Sequence, residues 1–270
     1  MSMWDIVIDD SNRTTILAIV MIATAIITFP TLIFGPTAPY GRYSTSGWGF
    51  MIPNKIAWVT QEINSLAVPV VWILFFASDD QLSRIYKVPV NGILVAMFLI
   101  HYVNRDIIYP CRLRGGKPTP FTVWFLAFVF CLYNGYMQTR YFLYEAPRED
   151  SILRPTFLLG SCMWLMGWLI NLHSDSILIS LRRARSVNDT GYKIPRGGMF
   201  TYVSAANYFG EIVEWTGFAM ASGWALPCVA FAVFTFANLF PRGYKHHQWY
   251  LHRFSSYSSL KRKSVIPYIV

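Results

Sequence analysis

Glu62, Asp175, Glu211 and Glu214 lie inside or at the edge of long apolar stretches, not in charged loops. An ionisable side chain at membrane depth is expensive and marks a functional site by default. Each has polar company at helical spacing. Trp58 and Glu62 are four residues apart, as are Gln61 and Ser65, so each pair shares a helix face. Tyr102, Arg105 and Tyr109 fall at i, i+3 and i+7 and form one stripe. Asn171 and Asp175 share a face, and Asn207, Glu211, Glu214 and Trp215 make a further hydrogen-bonding stripe. Carboxylates hold sugar hydroxyls and cations hold phosphates. The pattern therefore suits a nucleotide entering a helical bundle from a basic end. The competing reading is interhelical polar glue, common for Asn, Ser and Thr but costly for a carboxylate.

The elements that must position these residues follow from the charge distribution. Of 270 residues, 54% are hydrophobic and 14% charged, against roughly 25% charged in a soluble domain. That balance excludes a disordered chain, a coiled coil, a collagen-like chain and a secreted disulfide scaffold. A net charge of +9 raises nucleic acid as a partner, but such a charge should then cover one face. It does not. Apolar runs predict seven membrane spans near 13–34, 57–77, 87–108, 120–143, 154–178, 203–221 and 224–241. Alternate connections are basic: Arg42 and Lys55; Arg105, Arg112, Arg114 and Lys117; Arg182, Arg183, Arg185, Lys193 and Arg196; and the tail from Arg242 onward. The positive-inside rule then puts the N-terminus outside or in the lumen and the C-terminus in the cytosol. Asp5, Asp9 and Asp10 before the first span argue against a signal peptide. The expected fold class is all-α, one seven-helix membrane domain over residues 1–270.

Several chemistries are missing from the pattern. Cys111, Cys131, Cys162 and Cys228 form no CxxC pair and read as packing residues. His246-His247 are adjacent, so they share no helix face, and no metal site is expected. There is no GxGxxG, Walker sequence, GxSxG elbow or HExxH helix. Neither a Rossmann domain nor a P-loop accounts for nucleotide binding.

Ordered segments along nearly the whole chain resemble the steroid 5α-reductase family. They are Ala38-Pro-Tyr-Gly-Arg42, Ala57-Trp-Val-Thr-Gln-Glu62, His101-Tyr-Val-Asn-Arg105 and Phe130-Cys-Leu-Tyr-Asn-Gly135. Stronger still are Asn171-Leu-His-Ser-Asp175, Gly191-Tyr-Lys-Ile-Pro-Arg-Gly-Gly198, Ala206-Asn-Tyr-Phe-Gly-Glu-Ile-Val-Glu-Trp215 and His246-His-Gln-Trp-Tyr250. The resemblance implies a multi-pass membrane enzyme that uses NADPH to reduce the 4,5 double bond of a 3-oxo-Δ4-steroid. It implies that Glu62 and Tyr102, with Gln61 beside them, engage the 3-carbonyl oxygen. It implies a cofactor cage of Arg105, Tyr109, Arg114, Asn171, Asp175, Arg182, Tyr192, Asn207, Glu211, His246 and Tyr250. Tyr40, Trp58 and Trp215 would line the steroid side, and Arg105, Arg114 and Arg182 then read as a phosphate clamp.

Two positions depart from the family: Lys117 replaces Arg after an insertion at Gly115-Gly116, and Asn238 stands where relatives tend to carry Phe. The implied partners are a steroid arriving from the bilayer and membrane lipids, with no nucleic acid and no metal. The membrane is that of the endoplasmic reticulum, or the cytoplasmic membrane if the source is bacterial. The alternatives are a sibling reductase acting on another enone or polyprenoid lipid, a non-catalytic sterol-binding protein, and a methyltransferase of similar architecture. The orientation is directly testable in sealed vesicles. Single cysteines placed at Lys193 and Lys261 should react with a membrane-impermeant thiol reagent from the cytosolic side, and one at Asp79 only after permeabilisation. The reverse pattern contradicts the predicted topology.

Overall fold

The computed structural model describes residues 12–183 and 191–270. Asp5, Asp9 and Asp10 of the acidic tail, and Arg185, lie outside the described residues. Eight helices dominate: α1 (Arg13–Phe34), α2 (Asn54–Phe75), α3 (Asp79–Tyr86), α4 (Pro89–Arg112), α5 (Phe121–Glu145), α6 (Pro155–Arg183), α7 (Ala206–Ala221) and α8 (Leu226–Arg253). Six of them, all but α3 and α7, are long and apolar enough to cross a membrane. This differs from the seven expected spans at one place. Residues 203–205 join α7 to the C-terminal segment instead of extending the helix: Ser204 and Ala205 donate backbone hydrogen bonds to Lys263 and Ser264. The 16 residues left in α7 are about 24 Å long, short of a hydrocarbon core of about 30 Å.

Elsewhere the helices outrun the apolar spans that announce them. α8 continues through Pro241 to Arg253, so His246 and Tyr250 stand on a helix and not in a tail. α4 carries a π-helical segment at Asn104–Ile108, the widened turn that is frequent at functional sites. α2 is interrupted at Ile63, between Asn54–Glu62 and Asn64–Phe75. The short surface helix α3, not anticipated from the sequence, starts with a reciprocal capping box between Ser78 and Gln81. A two-stranded antiparallel pair, β1 (Met51–Ile52) with β2 (Thr119–Pro120), ties the α1–α2 and α4–α5 connections together.

The closest helix contact is between α6 and α7, and glycine makes it possible. Gly160 and Gly167 on α6 meet Gly217 and Gly210 on α7, each pair seven residues apart on its own helix. A Cβ on Gly167 would lie 2.3 Å from the backbone nitrogen of Glu214, and one on Gly210 2.6 Å from that of Asn171. Small residues let backbones approach where lipid supplies no hydrophobic force. The turn after α7 is equally tight: Gly223 has φ 77°, and Arg154 donates to the exposed end of the helix at Ala221 O, 2.8 Å away.

On the inner side, Phe98, Tyr102, Trp215, Phe218 and Phe231 form an aromatic core that α4, α7 and α8 share. Gly167→Ala or Gly210→Ala should force α6 and α7 apart. We expect a loss of about 1–3 kcal/mol, read as a lowered melting temperature in detergent, together with reduced ligand binding. Unchanged melting would contradict the close-packing account.

Candidate active site

Arg105 is the centre of the site. The π-helical turn of α4 directs its guanidinium into the bundle, where carboxylates from three helices meet it. Nη1 lies 2.9 Å from Asp175 of α6, Nη2 3.0 Å from Glu211 of α7, and Nε 3.6 Å from Glu62 of α2. It lies over the adjoining rings of Trp58 (4.7 Å) and Tyr109 (5.0 Å), whose centroids are 4.9 Å apart. Trp58 is itself fixed by donating its indole N–H to the Arg105 carbonyl, 3.1 Å away. The α6–α7 contact completes the network. Asn171 donates to the Asn207 carbonyl and to Glu211 Oε1, both at 3.1 Å, and Asn207 donates to Asp175 at 3.3 Å.

One turn deeper, His101 meets Glu214 at 2.7 Å, both fully inside the protein. The Trp215 ring lies against His101 and Phe231, with centroids at 4.6 and 4.4 Å. Tyr102 is 5% exposed and packs on Phe98 and Trp215.

These groups line a cavity of about 1390 Å³, larger than the roughly 300–1,000 Å³ of a pocket for one small molecule. Its two ends differ in chemistry. The mouth between the basic connections is edged by Arg42, Arg114, Lys117, Arg182, Lys193 and Arg242. The inner chamber is walled by Val20 and Met21 of α1, Leu126 and Phe130 of α5, and Phe231 and Phe234 of α8. Glu62, Tyr102, Arg105 and Trp58 stand between the two.

Of the seventeen residues singled out from the sequence, fifteen line this cavity. Asn171 and Asp175 do not. They are 0% and 3% exposed and stand behind the wall, holding Asn207, Glu211 and Arg105. Arg105, expected in the phosphate clamp, lines the cavity with its guanidinium among carboxylates. Three carboxylates occupy its guanidinium, so the cations at the mouth are the ones placed to meet an anion.

Sequence reasoning passed over several residues at that mouth. Arg42 lies over the rings of Trp249 (4.4 Å), Tyr250 (4.8 Å) and Tyr192 (5.4 Å), and Nη2 donates to the Tyr250 hydroxyl at 3.1 Å. Nη1 of Arg42 and Nε of Arg242 are buried without a hydrogen-bond partner among the described residues. Tyr43 and Tyr208 hold the two ring nitrogens of His246, at 3.2 and 3.3 Å. Burial pushes the Tyr43 hydroxyl up to about 12, so it stays protonated and donates to the Lys245 carbonyl, 3.2 Å away. Arg42 stood inside the Ala38–Arg42 segment. Arg242 is four residues before His246, a spacing that becomes visible once α8 is known to continue past residue 241. His247 turns the other way, meeting Ser204 Oγ at 2.6 Å. No group of three metal-ligating side chains occurs among the described residues.

A family model described as 3-oxo-5-alpha-steroid 4-dehydrogenase matches residues 117–270. The chain belongs to the 3-oxo-5-alpha-steroid 4-dehydrogenase family. It is 49% identical to 3-oxo-5-alpha-steroid 4-dehydrogenase 1 of Bos taurus over 234 residues, covering 86% of this chain and 88% of the relative. It is 48% identical to 3-oxo-5-alpha-steroid 4-dehydrogenase 1 of Homo sapiens over 231 residues, 85% of each. Similarity extends to plants: steroid 5-alpha-reductase DET2 of Gossypium hirsutum is 37% identical over 252 residues, 90% of this chain and 93% of the relative.

Within this member of the family, the Arg105 cluster makes a sharp prediction. Arg105→Met leaves three carboxylates facing one another without their cation. Breaking such a buried arrangement costs about 3–5 kcal/mol, so the variant should melt far below the parent in detergent. A melting temperature within a degree of the parent would contradict the central placement of Arg105.

Proposed function

We propose that this chain reduces the 4,5 double bond of a 3-oxo-Δ4-steroid, with NADPH as reductant and with Glu62 and Tyr102 engaging the 3-carbonyl. The observation that carries the reading is the single cavity with a cationic, aromatic mouth, an apolar chamber, and carboxylate and phenol groups at their junction, in a chain of this family. Its volume suits two ligands placed end to end.

The residues present fit a phosphorylated dinucleotide. The unpartnered Nη1 of Arg42 and Nε of Arg242 are donors waiting for an anion, and Arg114, Lys117 and Arg182 add charge at the same mouth. Asn207 and Glu211, held from behind by Asn171 and Asp175, offer acceptors for sugar hydroxyls. Trp58, Tyr109 and Tyr192 supply flat walls. Bound there, NADPH supplies a hydride to the steroid's C5.

Chain residues then control where charge develops. Addition at C5 of the conjugated enone shifts electrons onto the 3-oxygen, and the enolate then takes a solvent-derived proton at C4 to give the saturated ketone. A donor within hydrogen-bond reach stabilises that oxygen as it becomes negative. Tyr102 is the donor; Glu62, anchored by Arg105, shares or supports the contact, and Gln61 steadies it. Trp215 and Phe231 close the floor of the chamber and keep bulk water from the reacting carbons during hydride transfer. The wall is apolar toward lipid: Val20, Leu126 and Val129 line the cavity yet are 49%, 64% and 44% exposed. We therefore place steroid entry between α1 and α5, from the bilayer. α6 and α8 both run toward the basic mouth, reaching it at Arg182 and Arg242, so we also count the short α7 between them as the seventh crossing, with the cationic mouth facing the cytosol.

Tyr102→Phe should leave cofactor affinity intact and lower kcat about 10²–10³-fold, the effect of deleting one donor to a developing oxyanion. Purified protein assayed with NADPH and a 3-oxo-Δ4-steroid measures this directly. Cofactor binding without steroid turnover would move the reading to another enone lipid, and absence of NADPH binding would overturn it.

A further inference from the structure

α8 presents a stripe of polar side chains to the cavity at a spacing of four: Tyr250, His246, Arg242 and Asn238. The first three belong to the basic mouth. Asn238 is the last of the series, one turn further into the apolar chamber, with Phe234, Thr235 and Leu239 beside it on the same wall. Among the described residues its amide has no hydrogen-bond partner, so it is not polar glue between helices. Thr28 of α1 and Thr235 of α8 line the cavity too, each with a single hydroxyl, while two other threonines are already satisfied. Thr24 and Thr31 also line the cavity, but their hydroxyls already donate to Val20 and Ile27 carbonyls of their own helix, at 2.8 and 2.7 Å.

An unsatisfied amide in an apolar wall is costly once an apolar ligand displaces its water. Pockets of this kind use a few placed polar groups to fix orientation and specificity. Tyr102 packs on Trp215, and Trp215 on Phe231 of α8, so Asn238, seven residues along α8 from Phe231, stands about 10 Å from the level at which Glu62 and Tyr102 take the 3-carbonyl.

We infer that Asn238 selects steroids carrying an oxygen substituent at the end remote from the 3-carbonyl, by hydrogen-bonding that oxygen. The inference rests on the proposed steroid reduction and deepens it. An amide suits either oxidation level, since its N–H donates to a ketone and its carbonyl accepts from a hydroxyl. A substrate without that oxygen leaves the amide unpaired and is disfavoured.

The test compares two substrates and two enzymes. The substrates are a 3-oxo-Δ4-androstene with a 17-hydroxyl and its 17-deoxy analogue. The enzymes are the parent and Asn238→Leu, which keeps the volume and removes the polar atoms. The parent should favour the 17-hydroxy substrate in kcat/KM. The Asn238→Leu variant should lose that substrate's kcat/KM by about tenfold, through KM, while reducing the 17-deoxy analogue as well as the parent does or better. Retained 17-deoxy turnover shows that the variant is folded.

Equal losses on both substrates, or no loss on either, overturn the inference and leave the reductase reading intact. A rise confined to the KM for NADPH also overturns it, by assigning the amide to the cofactor. If the parent reduces neither steroid, the proposed function itself fails.

Discussion

Burying one guanidinium among three carboxylates from three different helices constrains everything around it. Each carboxylate alone would be prohibitive at this depth. Together with Arg105 they fix the relative positions of α2, α4, α6 and α7, because moving any one helix strands a charge. Other features serve that arrangement. The π-helical turn directs Arg105 inward, the paired glycines bring Asn171 and Asp175 within reach of Asn207 and Glu211, and the adjoining rings of Trp58 and Tyr109 lie against the guanidinium. Glu62 is thereby held at the boundary between a cationic mouth and an apolar chamber.

That boundary is where a hydride-transfer enzyme needs its polar groups. A dinucleotide and a steroid differ so much in polarity that one uniform pocket serves neither. A membrane helical bundle supplies the gradient without added domains: basic connections collect on one side of the bilayer, and the lipid-facing helices supply apolar walls. The excess of positive charge thus has two consequences from one placement. In the proposed topology it orients the chain, and it edges the mouth of the cavity.

The composition and loop charges made the helical membrane class legible, since long uncharged runs with alternating basic connections leave few other folds. Fifteen of the seventeen residues chosen on spacing and family resemblance border one cavity. What escaped has physical reasons. Helical hydropathy reports where lipid ends, not where a helix ends, so α8 appeared too short and Arg242 was missed. A carboxylate that binds a ligand and one that holds the binder look alike in a sequence, so Asp175 and Asn171 were grouped with the cavity wall. Arg105 had the composition of a phosphate ligand, and its three carboxylate partners come from helices that spacing along one chain segment cannot bring together. Arg42 lay in a connection, where a cation reads first as topology; its stacking on Trp249 and Tyr250 depends on contacts about 200 residues away.

The central claim is that groups at the junction of mouth and chamber hold the steroid so that hydride from a cofactor at the mouth reaches C5. Isotope tracing tests it most directly. Purified protein is incubated in ordinary water with a 3-oxo-Δ4-steroid and NADPH carrying deuterium at both C4 positions of the nicotinamide, and the product is examined by mass spectrometry and NMR. The account predicts one deuterium, at C5, and none at C4. A reduced product without deuterium, or with the label at C4, would contradict it.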